Sequence, residues 1–314
     1  MTQDILVNIP GFWQEYKLSL AMVDLQHKYP FIFKDGLKLN TVYDCFPCIW
    51  TGGRSAPKDM IFSKDEIAQK IVPFLERDIG IRYNFTNLLL KEEHLYDYTC
   101  NQIMDYTMEI LKDYPDLPLG ITIASDVLYE YLQKKYPGLY YCWSTTLGKI
   151  GIDEVNRRSE HDLLVLDFNY NNDFEWLKQL KHPENIEILT NEGCIPHCPY
   201  RDLHWKYISE TQLIPGDQDC NTPTGCLNKV MKRDYGSRCK TKLVSFEEMR
   251  DNYLPLNINK MKLAGRREED ISLLGQYTEI FFKKEYGDDV MRYVATNYIE
   301  TKYDMFFNEN LFNN

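Results

Sequence analysis

Short apolar runs recur along this chain, and each is followed by a longer stretch of helical character. The runs at 41–46, 81–86, 119–124, 139–143, 163–167 and 186–190 read as strands, with a weaker one at 258–264. Helices are expected at 63–77, 91–113, 126–135, 153–158 and 173–181, and 268–286 and 288–307 close the chain as two more. Ser63 with Glu66 three residues later forms a capping box, and Ser125 stands where a cap belongs before 126–135. About seven β-α units in series imply parallel strands. A doubly wound sheet would also fit. The units are many and evenly spaced, and no Gly-x-Gly-x-x-Gly follows the first run, so the expectation is an α/β fold of the TIM-like (β/α) barrel type. In that reading 1–40 is an N-terminal extension outside the barrel and 41–287 is the barrel. Residues 199–256 are a cysteine-rich insertion at its C-terminal face, and 288–314 is a C-terminal helix.

The chain has 314 residues, 44% of them hydrophobic, enough for a large core. A net charge of −11 argues against a general binder of phosphate backbones. No run of about 18 apolar residues is present, so no membrane partner is expected. The start, Met1-Thr2-Gln3-Asp4, lacks a basic region followed by an apolar one, so the expected location is cytoplasmic. There the nine cysteines would be mostly reduced.

Those cysteines carry the strongest chemical signal. Cys194 and Cys198 follow the run at 186–190, with Gly193 and Pro196 turning the backbone between them. Cys220 and Cys226 follow in a segment rich in turn formers. A reduced cluster of this kind holds a metal more readily than it forms disulfides. Zinc sites usually show pairs such as Cys-x-x-Cys; the looser spacing here favours a [4Fe–4S] cluster, with structural zinc or unconnected thiols as the alternatives. Cys45, Cys48 and Cys239 are alternative third and fourth ligands, whereas Cys100 and Cys142 read as core.

Polar residues at strand ends form a second set. Arg54, after Gly52-Gly53, suits a carboxylate or phosphate, and Lys262 and Arg266 add two cations at the same mouth; all three are candidate substrate-binding residues. Glu192, directly before the cysteines, is a candidate base. Arg201 and His204, one turn apart, are candidates to contact a substrate or cluster sulfurs. Asn84, Asn87, Ser125, Ser144, Thr145, Asp167 and Asn169 end other strands, where most such residues cap helices. No nucleophile elbow, Walker loop, His-Glu-x-x-His or radical-SAM Cys-x-x-x-Cys-x-x-Cys is present.

Three segments resemble the collagenase-like peptidase family, peptidase U-32: Val42-Tyr43 with a following Gly53-Arg54, the cysteine-rich 191–201, and Lys262-Leu263-Ala264-Gly265-Arg266, which is similar to that family's Lys-Ile-Glu-Gly-Arg. The likeness spans roughly residues 40 to 270. It implies a TIM-like barrel and a [4Fe–4S] cluster held by four cysteines, with Cys194 and Cys198 among the ligands. It also implies oxygen-independent hydroxylation of tRNA or rRNA bases or of the ubiquinone ring. The expectation is therefore an iron–sulfur redox enzyme acting on a small molecule or a modified nucleotide, with its electron donor unknown. The alternative is a metal-stabilised binding or assembly protein with a partner subunit. A peptidase ranks third, because neither a protease motif nor a Cys-His pair is evident.

Overall fold

The computed structural model describes residues 3–52, 60–192, 194, 196–214, 244–265 and 270–298. Eight parallel strands close into a barrel in sequence order: β1 (Ile5–Pro10), β2 (Leu37–Asp44), β3 (Gly80–Phe85), β4 (Gly120–Ile123), β5 (Tyr140–Trp143), β6 (Leu163–Val165), β7 (Ile186–Leu189) and β8 (Lys260–Lys262). Closure is made by β8 pairing with β1, Leu6 to Lys260 and Asn8 to Lys262. The helices that follow the strands are α1 (Tyr16–Lys28), α2 (Lys64–Leu75), α3 (Tyr98–Ile110), α4 (Asp126–Lys135), α5 (Ile152–Arg158), α6 (Phe174–Leu177) and α7 (Arg201–Leu213). Two C-terminal helices, α8 (Asp270–Phe281) and α9 (Gly287–Asn297), complete the described chain. Among the described residues no helix is long and apolar enough to cross a membrane.

Two expectations are corrected. The barrel has eight strands rather than seven, and the segment expected as an extension, 1–40, supplies β1 and α1 of the barrel itself. The physical reason is closure: Ile5-Leu6-Val7-Asn8-Ile9-Pro10 fills the gap between β2 and β8, pairing with both. The long helix expected at 91–113 is also divided. Asp97 leaves the helical region and its carboxylate accepts from the Cys100 amide, so it caps α3. At α2 the capping box of Ser63 and Glu66 is formed as expected.

Alternation along the strands sorts side chains onto two faces. Val7, Val42, Ile81, Ile121, Ile188 and Met261 belong to one core cluster with Met22 of α1, Ile71 of α2 and Leu128 of α4, so these positions face outward onto the helices. The other positions point into the lumen. A separate, smaller cluster of Cys142, Val165, Phe168 and Leu189 lies there, with Cys194 and Ala264 packed against it.

Candidate functional site

The lumen is polar where barrels of this type usually carry branched apolar side chains. Asn8, Arg82, Cys142 and Glu187 come from the odd strands β1, β3, β5 and β7. Arg82 Nη2 donates to both oxygens of Glu187, at 2.8 and 3.0 Å. β3 and β7 stand opposite each other in an eight-stranded barrel, so this pair crosses the interior. Both residues are at most 1% exposed. The Asn8 amide donates to Glu187 Oε1, and the Cys142 thiol donates to Oε2 at 3.5 Å. The Asn8 side-chain oxygen Oδ1 accepts in turn from Thr41 at 2.5 Å and Asn40 at 3.1 Å.

Electrostatics follow from burial and this pairing. Desolvation opposes charge on Glu187, but Arg82, then Lys262, then the hydrogen bonds from Arg82 and Asn8 prevail and hold its pKa below the usual carboxylate value. Burial acts against the Arg82 guanidinium as well, and the Glu187 carboxylate outweighs it. The Cys142 thiol is pushed up to about 12, chiefly by burial, so it stays neutral at ordinary pH.

Toward the C-terminal end of the barrel a cavity opens. The even strands contribute Tyr43 (β2), Thr122 (β4), Val165 (β6) and Lys262 (β8) to its walls. Asn84, Thr86, Ser144, Leu189 and Trp205 complete much of the lining. Lys262 is held with its ammonium 3.8 Å from the centroid of the Tyr43 ring. The Tyr43 hydroxyl donates to the Leu263 carbonyl, and the Leu263 amide donates to the Asn8 carbonyl at 3.0 Å. Asn191 fastens the same turn, accepting from the Ala264 amide at 2.5 Å and donating to its carbonyl at 3.0 Å. Segment 262–265 is thus fixed from β1, β2 and the end of β7, and with it the place of Lys262 in the cavity wall.

The cysteine loop is anchored over the same end. The Cys194 amide donates to Glu192 Oε1 at 3.0 Å, and Glu192 is 1% exposed. The His197 amide donates to Asn169 Oδ1 at 2.8 Å; His197 itself takes a left-handed φ of 50°, which lets the loop turn between the two thiols. Arg201 at the start of α7 is 5% exposed, donates to Asp167 Oδ2 at 2.9 Å and to Thr145 Oγ1 at 3.1 Å, and lies over the Phe168 ring. Asp167 also accepts from the backbone and side chain of Asn169. One chain of contacts therefore ties α7 and the cysteine loop to the end of β6.

The expected site residues divide accordingly. Lys262 and Cys45 line the mouth, while Cys194 and Cys198 are half-buried on the loop beside it. Glu192 and Arg201 are buried in the supports of that loop. His204 stacks on Trp205, ring planes 6° apart and centroids 5.5 Å apart, and Trp205 rather than His204 is in the cavity wall. Cys48 is buried in the outer core beside Cys100. Asn87 is taken up by the carbonyls of Ile49 and Ser209, and Ser125 caps α4. Arg54, Cys220, Cys226, Cys239 and Arg266 lie outside the described residues. Among the described residues no group of three or more His, Cys, Asp or Glu side chains is gathered as a metal site.

Asn8, Arg82, Thr122 and Glu187 were not singled out by the sequence. The signal lay in strands such as Ile81-Arg82-Tyr83-Asn84-Phe85, where polar and apolar residues alternate and the polar face turns inward.

No family model matches the chain, and no curated protein matches it. Among solved structures the chain is similar to "The Structure of the U32 Peptidase Mk0906", at 13% identity and a TM-score of 0.52, over 85% of this chain and 95% of that one. At that identity the likeness speaks to the fold: this chain shares its closed α/β barrel architecture with a U32 peptidase.

Proposed function

We propose that this chain is a redox enzyme that binds a small substrate at the barrel mouth and carries a [4Fe–4S] cluster on the loop after β7. Cys194 and Cys198 would be two ligands, with Cys220 and Cys226 supplying the others. The supporting observation is a convergence. Two half-buried thiols stand on one buttressed loop, and one of them, Cys194, packs against the cluster of Val165 and Leu189 that flanks a cavity whose lining includes Lys262. The donor set fits a thiolate-bound group in kind: Cys194 packs against the lumen cluster, and the amides around it are held by Glu192 and Asn169.

A bound cluster of this type supplies one-electron transfer. The chain's own residues bind and orient. Lys262, with Arg54 and Arg266, would hold an anionic part of the substrate; Glu192 and Arg201 keep the cysteine loop in place, and His204 steadies the Trp205 wall. Oxygen-independent hydroxylation of a small molecule or a nucleic-acid base is the reaction the resemblance to the U-32 family suggests, and the cytoplasm is the proposed compartment. Peptide hydrolysis is the second reading, raised by the fold shared with a U32 peptidase. The described lining of the cavity offers hydroxyls, the Cys45 thiol and the Lys262 amine.

The test is anaerobic purification followed by iron, acid-labile sulfide and zinc analysis and a visible spectrum. About four irons and four sulfides per chain, with broad absorption near ~400 nm that bleaches on reduction, is the expected result. Cys194→Ala should lose the metal. Stoichiometric zinc would favour a structural metal in a binding or assembly protein. Full metal and activity in Cys194→Ala would overturn the site.

A further inference from the structure

In the wall of the mouth, Thr122 Oγ1 on β4 and Asn84 Oδ1 on β3 are buried with no hydrogen-bond partner among the described residues. Thr122 is 2% exposed, and both residues line the cavity. Asn84 and Thr122 are register partners on adjacent strands, so the two groups stand side by side. Burying such groups unsatisfied is costly. Elsewhere in the lumen the side chains of Asn8, Arg82 and Glu187 are joined by hydrogen bonds, with Arg82 Nε left out of them. On the opposite side of the barrel, four strands away from β4, Lys262 lines the same cavity, its ammonium over the Tyr43 ring. Val165 and Leu189 give the space between them an apolar flank.

From this arrangement we propose the class of molecule the mouth takes: a small, extended monocarboxylate with an amide or hydroxyl at its far end. The carboxylate meets Lys262 against β8. The far polar group exchanges hydrogen bonds with Thr122 and Asn84 against β3 and β4. The hydroxyl of Thr122 can donate or accept, and the carboxamide of Asn84 can do both, so an amide on the ligand satisfies the pair. This substrate class rests on the mouth being the active site as proposed above, and it adds Thr122 and Asn84 as specificity-determining residues. A carboxylate without the distal group would leave both atoms unpaired, the condition under which polar sites reject an analogue most strongly. A neutral analogue would forgo the charge-assisted contact with Lys262.

The test uses three matched probes on the full-length protein, with binding measured by calorimetry or ligand-observed nuclear magnetic resonance. Succinamate carries both groups, succinamide lacks the charge, and valerate lacks the amide. Succinamate is expected to bind about tenfold or more tightly than either of the others. Thr122→Val should bring succinamate close to valerate, and Lys262→Met should bring it close to succinamide. The comparison among probes on the unmodified protein stands even if a variant folds poorly. Equal binding of the three, or no binding of any, overturns the proposal. Iron is measured on the same samples, which separates the two readings. An iron-loaded protein that ignores succinamate defeats this inference alone. An iron-free protein that discriminates among the probes defeats the cluster and leaves the inference standing.

Discussion

Glu187 is the single side chain on which the barrel interior depends most. It is 0% exposed, and it accepts from Arg82, Asn8 and Cys142. Arg82 acts on it by direct contact and Lys262 through space. Removing a charge from such a set is asymmetric. Glu187→Ala leaves the Arg82 guanidinium buried with no counter-ion, at a cost of about 3–5 kcal/mol. Arg82→Met leaves a carboxylate that still has Lys262 nearby and the Asn8 amide in place, so it should cost less, about 1–3 kcal/mol. Replacing both together, Arg82→Met with Glu187→Leu, removes charge on both sides. Apolar replacement of a buried pair is often near neutral, so the double variant should be more stable than Glu187→Ala by about 2 kcal/mol or more. Equilibrium urea unfolding of all four proteins, followed by circular dichroism and tryptophan fluorescence, gives the comparison. The reasoning fails if Arg82→Met is the worse single variant, or if the double variant is no better than Glu187→Ala. The same carboxylate sets an acid dependence. Its folded pKa lies below the ordinary value of 4.5, so its stabilising contribution is fully present above that value and is lost as pH falls through the depressed folded pKa. Glu187→Gln should flatten that part of the stability profile.

Thiol reactivity should follow burial: in native, metal-depleted protein at neutral pH, iodoacetamide should label the half-buried Cys194 and Cys198 well before Cys142 and Cys100, whose pKa values burial raises. Peptide mass spectrometry reads the order, and early labelling of Cys142 would contradict its place beneath the mouth. Gly120→Ala would drive a methyl into the Tyr140 ring, so a loss of about 1–3 kcal/mol in urea is expected, whereas Gly151→Ala has nothing within 4 Å and should stay within about 0.5 kcal/mol. Asp167→Ala should break the buried pair with Arg201, destabilise the fold by about 3–5 kcal/mol and lower bound iron along with it. Arg201→Lys, which keeps the charge but loses the second contact to Thr145, should lower iron more than it lowers stability; unchanged iron in both variants would separate the cysteine loop from its supports.

How far the sequence carried the fold depends on the range over which each signal acts. The capping box at Ser63 spans three residues, and it formed as read. The strands β2 to β8 were each legible because apolar runs and the helices after them are local patterns. β1 was not, although Ile5-Leu6-Val7-Asn8-Ile9-Pro10 is as apolar as its neighbours. What makes it a barrel strand is its pairing with Lys260–Lys262, near the other end of the chain, and no local pattern encodes that. The same distance hid the lumen. Arg82 in β3 and Glu187 in β7 each look like an ordinary charge within a strand. Only closure puts β3 opposite β7 and turns two separate charges into one buried pair. Lys262 and Cys194 were readable as mouth residues because they stand at strand ends, where the rule about chemistry on α/β barrels applies to the sequence directly. Thr122 was not, because one threonine inside Gly120-Ile121-Thr122-Ile123 is an ordinary strand residue until its hydroxyl is seen buried and unpaired. The residues most exposed to misreading are thus the lumen-facing ones. Their chemistry is set by partners from strands far apart in sequence, and that is where a substrate class for this barrel has to be sought.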